Sequence, residues 1–199
     1  KEAEKAEFRL GQAFDSAGVS AKERVKAQEA ISRVSKQAAL DDEDLSDVLA
    51  KLTRSTGDVT KAQEAMALSA EIARARNISL EAASKSVEKA YLGNAAALKR
   101  LGVVVPNVSA AYKGVRDRIK ELRDRLKDAE GPARKQIELA IEQQKAQLDN
   151  AKALDKAATA QNAIAKAQEQ FAGSSEKYGK TAAGAQERFQ VAVENLQEA

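Results

Sequence analysis

Apolar residues along this chain recur at intervals of three and four, and short polar stretches containing Gly or Asn interrupt them. This spacing predicts amphipathic helices. The one run typical of a strand, LGVVVP at residues 101–106, has no second run to pair with. We therefore expect an extended linker there and predict an all-α protein.

A first helix is predicted over residues 2–16, and a second begins after Gly18 and runs to about Leu40. The second opens with a capping box, in which the Ser20 side chain accepts from the first turn and Glu23 reaches back. The apolar residues expected to pack inward are Phe8, Leu10 and Phe14 on the first helix and Val25, Ile31 and Val34 on the second.

Four consecutive acidic residues at 41–44 precede the next helix. They suggest a cation site, but an EF-hand loop needs alternating oxygen ligands, a central Gly and a distant Glu, which are missing here. We interpret the four acids as favourable charge at the positive end of a helix dipole. The helix that follows carries four apolar residues on one face: Leu45, Val48, Leu49 and Leu52.

Helix stop and start signals alternate closely between Gly57 and Pro106. Gly and Asn tolerate the left-handed turn that ends a helix, and Asp, Ser and Thr cap the next one. Residues 20–106 are thus predicted to form five short helices, which together with the N-terminal helix make a bundle domain over residues 1–106. Its expected core includes Leu68, Ile72, Ile78, Leu80, Val87, Tyr91, Leu98 and Leu101.

Residues 107–172 are predicted to form a helical hairpin. A 3-4-3-4-3 spacing marks a heptad seam at Tyr112, Val115, Ile119, Leu122, Leu126 and Ala129. After a break at Gly131-Pro132, a helix from Ala133 to about Ala172 carries an inner side of Ile137, Ile141, Leu148, Ala151, Leu154 and Ala158. A short break favours antiparallel pairing within the chain, and the alternative is pairing with another copy.

The second helix of this hairpin is the longer one, so its Ala-rich end is expected to pack on the bundle or on another chain. Residues 173–199 form the last predicted unit. It consists of a flexible, Gly-containing linker over 173–179 and a helix from Gly184 onward, with Phe189, Val193 and Leu196 on one stripe.

Composition narrows the function further. The 199 residues include 42 Ala, only 4% aromatics, and neither His nor Cys. Catalysis needs a nucleophile with a base, a metal with ligands, or paired carboxylates in a cleft, so we predict no enzyme and name no catalytic, cofactor-binding or metal residue. With 33 basic and 30 acidic residues, no segment is basic enough to indicate nucleic acid. No apolar run is long enough to span a membrane.

Two stretches of the chain combine more specific features. TRSTGDVTKAQEAMALSAEIARARNISLEAASKSVEKAYLGNAAALKRLGVVVP contains a T-G-D turn, an Ala-rich helix, a G-N turn, and A-L-K-R-L-G before an apolar run and Pro. FAGSSEKYGKTAAGAQERFQVAVENLQEA contains F-x-G, T-x-x-G and a helix ending near N-L-x-E. In this order the features resemble the tail tape-measure proteins of long-tailed bacteriophages. The resemblance covers residues 41–106 and 171–199, roughly half of the chain.

The resemblance implies a segment of a very long helical protein held in the lumen of the tail tube. Such a protein sets tail length during assembly and leaves ahead of the DNA at infection. The implied partners are further copies of itself, commonly as a trimer, the tail tube protein, the tail-tip proteins and the tail assembly chaperones. The implied location is the virion tail lumen or tip, and the host cytoplasm during assembly. The alternative is a non-enzymatic helical adaptor, or a surface or secreted coiled-coil module of bacteria.

Overall fold

The computed structural model describes residues 2–105 and 112–198, with side chains described up to residue 193. Within these ranges the regular structure is helical and no strand occurs, which confirms the all-α class. The helices are α1 Glu2–Ser16, α2 Ala21–Ala38, α3 Asp42–Thr56, α4 Val59–Arg76, α5 Leu80–Tyr91, α6 Ala96–Lys99, α7 Lys113–Lys127, α8 Gly131–Phe171, α9 Ser174–Gly179 and α10 Ala182–Glu198. Pro106, at the end of the expected linker, lies outside the described residues.

Local capping explains where α2 to α5 begin. Ser20 and Glu23 form the expected capping box on α2. Asp41, the first of the four acids, caps α3 by accepting from the Glu43 N–H at 2.7 Å. Asp58 and Ser79 cap α4 and α5 in the same way. These side chains satisfy N–H groups that have no partner within the first turn of a helix.

The core of the bundle joins α1 to α6 and also includes the C-terminal part of α8. Of the residues expected there, Ile78, Tyr91 and Leu101 are only partly buried, and the others are buried. Two expectations were wrong: Phe8 is 65% exposed and Val25 is 59% exposed. The faces that pack inward are instead made largely of Ala, such as Ala6 and Ala13 on α1 and Ala27, Ala30 and Ala38 on α2.

A thin two-helix arm is formed by α7 and the first half of α8, and the Tyr112 hydroxyl at its base donates to the Ala151 carbonyl oxygen at 3.1 Å. Its fully buried side chains are Ile119, Ile141 and Leu148. α8 begins at Gly131 rather than at Ala133, with Pro132 in its first turn.

The inner side predicted for the middle of α8 was wrong at two positions, because Leu154 is 74% exposed and Ala158 is also exposed. There α8 leaves α7 and turns a different face towards the bundle. That face carries Ala160, Ala163, Ala167 and Phe171. The Ala-rich end of the longer helix therefore packs on the bundle of its own chain, and α8 belongs to both parts of the fold.

The predicted flexible linker over 173–179 was wrong. These residues form α9, which packs against α2 and α4, with Ser175 and Gly179 buried. A Cβ atom at Gly179 would lie 2.8 Å from the Gln37 carbonyl oxygen, so only glycine fits this close approach. α10 begins two residues before the expected Gly184, and Phe189 on its predicted apolar stripe is 71% exposed. The Leu196 side chain lies outside the described part.

Candidate interaction surfaces

Arg74, in the last turn of α4, connects three helices. Its Nε and Nη2 atoms donate to the carbonyl oxygens of Ala38 and Ala39, each at 2.6 Å. These carbonyls lie at the end of α2, where the backbone has no further helical donors. Ala39 holds a left-handed conformation with φ 52°. The guanidinium thus donates hydrogen bonds to the free carbonyl groups at the end of a neighbouring helix. The left-handed position there is usually occupied by glycine and is alanine in this chain.

The same guanidinium holds the C-terminal segment. It forms an ion pair with Glu187 of α10 at 2.9 Å and lies 4.3 Å from the ring centroid of Tyr178 in α9. The Tyr178 hydroxyl donates to Glu187 Oε1 at 2.6 Å, and this hydrogen bond raises the pKa of Tyr178. We call Arg74, Tyr178 and Glu187 the Arg74 junction. Nearby, the Ser175 N–H donates to Glu71 Oε2 at 2.9 Å.

A second cation, two residues after Arg74, contacts the end of α8. The Arg76 guanidinium lies 5.2 Å from the ring centroid of Phe171, within reach of a cation–π interaction. It also covers Gly102, whose φ of 81° is left-handed, and a Cβ atom there would collide with the Arg76 side chain. The two arginines therefore draw α8, α9 and α10 onto one end of α4.

A groove of about 630 Å³ runs between the end of α5 and the middle of α8. Its walls are mostly apolar, from Leu92, Ala157 and Ile164, with Lys61 and Lys156 among the polar residues. The Tyr91 hydroxyl is buried in this region without a hydrogen-bond partner among the described residues. Burial, and then the nearby Glu64 carboxylate, raise the pKa of Tyr91 to about 12, so the phenol stays neutral.

The four acids that suggested a cation site lie at the start of α3, where Asp42 Oδ1 is buried without a hydrogen-bond partner among the described residues. Asp41 caps α3, and burial, followed by the charges of Asp41 and Asp47, raises the pKa of Asp44. Asp47 itself receives two hydrogen bonds from Arg9 of α1, at 2.7 and 2.8 Å. In the described ranges no group of three or more His, Cys, Asp or Glu side chains could hold a metal ion.

The arm offers the most exposed charge of the molecule. α7 alone carries seven Lys and Arg against three Asp and Glu, and its side chains are exposed or half-buried except for Ile119. In the part of the chain that the structure describes, no helix is long and apolar enough to span a bilayer.

Sequence reasoning named no site residue and did not anticipate the Arg74 junction. A weak signal was present, since basic residues in the last turn of a helix often contact carbonyl groups. Arg74 and Arg76 fit that signal. Their partners are distant in the sequence, however, so local patterns could not identify them.

Comparison with known proteins gave no match: no protein-family model, curated protein or solved structure matches this chain significantly.

Proposed function

We propose that this chain is a structural segment of a bacteriophage tail tape-measure protein, which helps to set tail length during assembly and is released ahead of the DNA at infection. One observation supports this most. The two stretches that carry the resemblance, 41–106 and 171–199, are separated by more than 60 residues but pack on each other at the Arg74 junction.

The proposal includes a division of the chain into three parts. Residues 1–106 are the helical bundle, residues 107–172 are the hairpin, and residues 173–199 complete the bundle surface. In this division the hairpin is an insertion between two packed stretches. Only the arm within this hairpin could lengthen without disturbing the core, because Ala160, Ala163, Ala167 and Phe171 of α8 lie in that core. α8 as a whole is about 60 Å long at 1.5 Å per residue.

The proposed role is non-enzymatic. The proposed partners follow from the resemblance: further copies of the chain, the tail tube and tail-tip proteins, and the tail assembly chaperones. The proposed location is the tail lumen or tip, after assembly in the host cytoplasm.

The test is tail length by electron microscopy, in a phage that encodes this chain, after deletion of residues 113–150. This deletion removes the arm and spares the α8 residues that lie in the core. If the segment serves as an extended helical ruler, the loss of 38 residues shortens tails by about 57 Å. A matched control replaces the same 38 residues with an unrelated helix-forming sequence such as repeated EAAAK, which should restore full length.

Tails of unchanged length after the deletion would contradict a ruler role for the arm. The exposed, highly charged arm would then favour the second candidate, a helical adaptor or a bacterial surface or secreted module that uses the arm to bind a partner. Shortened tails that the control does not restore would indicate a sequence-specific contact in place of a measured length.

A further inference from the structure

The cations of α7 are arranged on one face. Five of them follow a 3-4-3-4 spacing, which places them within a narrow stripe along a helix. We call these residues the basic stripe: Lys113, Arg116, Lys120, Arg123 and Lys127. All five are exposed. The stripe is about 21 Å long at 1.5 Å per residue, and it lies beside the seam through which α7 packs on α8.

Part of this charge has no acidic partner. Among the described residues, Lys113 and Arg123 form no ion pair, whereas Lys120 and Lys127 both lower the pKa of Asp124. Lys127 contacts Asp124 at 2.8 Å, on an exposed surface where such pairs are weak. The arm, residues 112–152, contains 11 basic and 8 acidic residues, and the rest of the chain contains 22 of each. The net charge of +3 therefore resides entirely in the arm. A charge of this size does not by itself indicate nucleic acid, and the inference rests on the alignment of five cations on one face of α7.

A linear row of cations without aromatic neighbours favours one class of partner. Single-stranded nucleic acid is usually held by bases stacked on aromatic rings, and the stripe contains none. Duplex DNA presents a regular row of phosphates, with one charge per about 1.7 Å of axis. The major groove of B-form DNA admits an α-helix, whereas the major groove of an A-form duplex is too narrow and deep for side chains to read.

We propose that the basic stripe of α7 binds the phosphate backbone of duplex DNA without sequence specificity. The arm presents a straight helix whose other face is held by α8, so the cations are arranged before the DNA arrives. This inference does not depend on the function proposed above, and it can hold or fail separately.

The test uses the whole chain and a fluorescein-labelled 30-base-pair duplex, with fluorescence anisotropy measured from 50 to 200 mM NaCl. Counterion release predicts a slope of log K against log salt of about −4, which is a loss on the order of 100-fold across this range. The stripe variant carries Lys113→Gln, Lys120→Gln, Arg123→Gln and Lys127→Gln. It should reduce the slope to about −1 and the affinity at 50 mM NaCl by at least about 10-fold.

A matched control variant changes four exposed bundle lysines instead, Lys22→Gln, Lys26→Gln, Lys85→Gln and Lys89→Gln. It has the same net charge as the stripe variant and should bind like the unmodified chain. Circular dichroism melts verify that both variants are folded. If the stripe variant melts early, the pair Lys120→Gln and Arg123→Gln replaces it, with an expected slope of about −2.7 from the three cations that remain.

Three results would overturn the proposal. The first is no binding to the duplex at 50 mM NaCl, and the second is an equal loss of affinity in the control variant, which would indicate net charge alone. The third is tighter binding to polyglutamate, to anionic vesicles or to a single strand of the same sequence than to the duplex, which would assign the stripe to a different partner.

Discussion

The helices of the bundle and of the arm both follow amphipathic spacing, yet the two parts bury their apolar residues to very different degrees. In the bundle, α3 and α4 are surrounded on several sides, and Leu45, Leu49 and Ile72 are completely inaccessible. In the arm, two helices meet along one line, so most seam residues remain half-exposed. Amphipathic spacing therefore determines which residues turn inward, but the number of neighbouring helices determines how deeply they are buried.

Alanine explains how the bundle compensates for its shortage of large apolar side chains. Small residues such as Ala62, Ala65 and Ala83 are fully buried and allow close helix approach. Protein interiors pack densely only when shapes fit. Here the helix backbones come close together, so that little side-chain volume is needed to fill the space between them. The arm has no such possibility, because a pair of helices leaves one side of each open to water.

The largest expected effect comes from shortening one leucine side chain in the bundle and one in the arm. Leu49→Ala in the bundle should lower the free energy of unfolding by about 3 kcal/mol, since it leaves a cavity in a closed core. Leu126→Ala in the arm removes the same atoms from a half-exposed site and should cost about 1 kcal/mol or less. Urea denaturation followed by circular dichroism measures both. Equal losses would mean that the arm is as well packed as the bundle.

The second test removes the Arg74 junction. Arg74→Met keeps much of the apolar stem but leaves the end of α2 and Glu187 without their donor. It should lower the free energy of unfolding by about 2 kcal/mol, as expected for hydrogen bonds to a charged group. Arg33→Met, at an exposed position of α2, is the control and should change the free energy by less than about 0.5 kcal/mol.

Hydrogen exchange sharpens the same test. In Arg74→Met, amide protection should fall in α9 and α10 before it falls in α3, because the junction holds those two helices on the bundle. Uniform loss of protection would instead make the C-terminal segment an inseparable part of the core.

A third test compares two glycines with left-handed backbones. Gly102 faces the Arg76 side chain, whereas nothing lies near a Cβ added at Gly131, at the tip of the arm. Gly131→Ala should cost about 1 kcal/mol, the conformational penalty alone. Gly102→Ala should cost about 2 kcal/mol, because Arg76 must also move. Thermal melts of the two variants measure the difference, and a smaller loss at Gly102 would show that Arg76 moves aside freely.

The smallest effect concerns caps. The bundle helices α2 to α5 begin with a side-chain cap, and the arm helices α7 and α8 do not. Asp58→Ala should cost about 1 kcal/mol at pH 7. Hydrogen bonds from the Lys61 and Thr60 N–H groups lower the pKa of Asp58 below 3.8. Its contribution is therefore complete well above pH 3.8 and disappears as the pH falls through the lowered value.

Unfolding experiments at pH 7 and at pH 2.5 measure this contribution. The difference between Asp58→Ala and the unmodified chain should shrink at the lower pH. A difference that stays constant, or one that grows on acidification, would assign the effect of Asp58 to something other than its carboxylate.

The sequence was sufficient for features whose cause is local. The caps at Ser20, Asp58 and Ser79 require only residues within three positions, and the helix starts they predict are correct. At 41–44 the sequence predicted favourable charge at a helix start, and the structure shows that Asp41 is also the cap. The heptad spacing likewise predicted Ile119 as a seam residue.

The sequence did not predict the buried faces of helices that pack mainly through alanine. Alanine is compatible with both core and surface, so the inward face of α8 near Leu154 could not be read from the pattern. Phe8 was expected on one apolar face with Leu10 and Phe14, but it is exposed, and the buried residues of α1 include Ala6 and Ala13. The Arg74 junction needs partners 36 and 113 residues away, a distance over which no local rule applies.

The continuity of α8 gives the molecule a mechanical property. One rod runs from the tip of the arm to Ala160, Ala163 and Ala167 in the core, without an interruption between Gly131 and Phe171. A lateral force on the tip would then exert a torque on the alanine contacts in the core. The lever arm, from Gly131 at the tip to Ala160, is about 40 Å long. The arm can therefore transmit a pull from outside into the bundle, at the places where α8 contacts α4, α5 and α6.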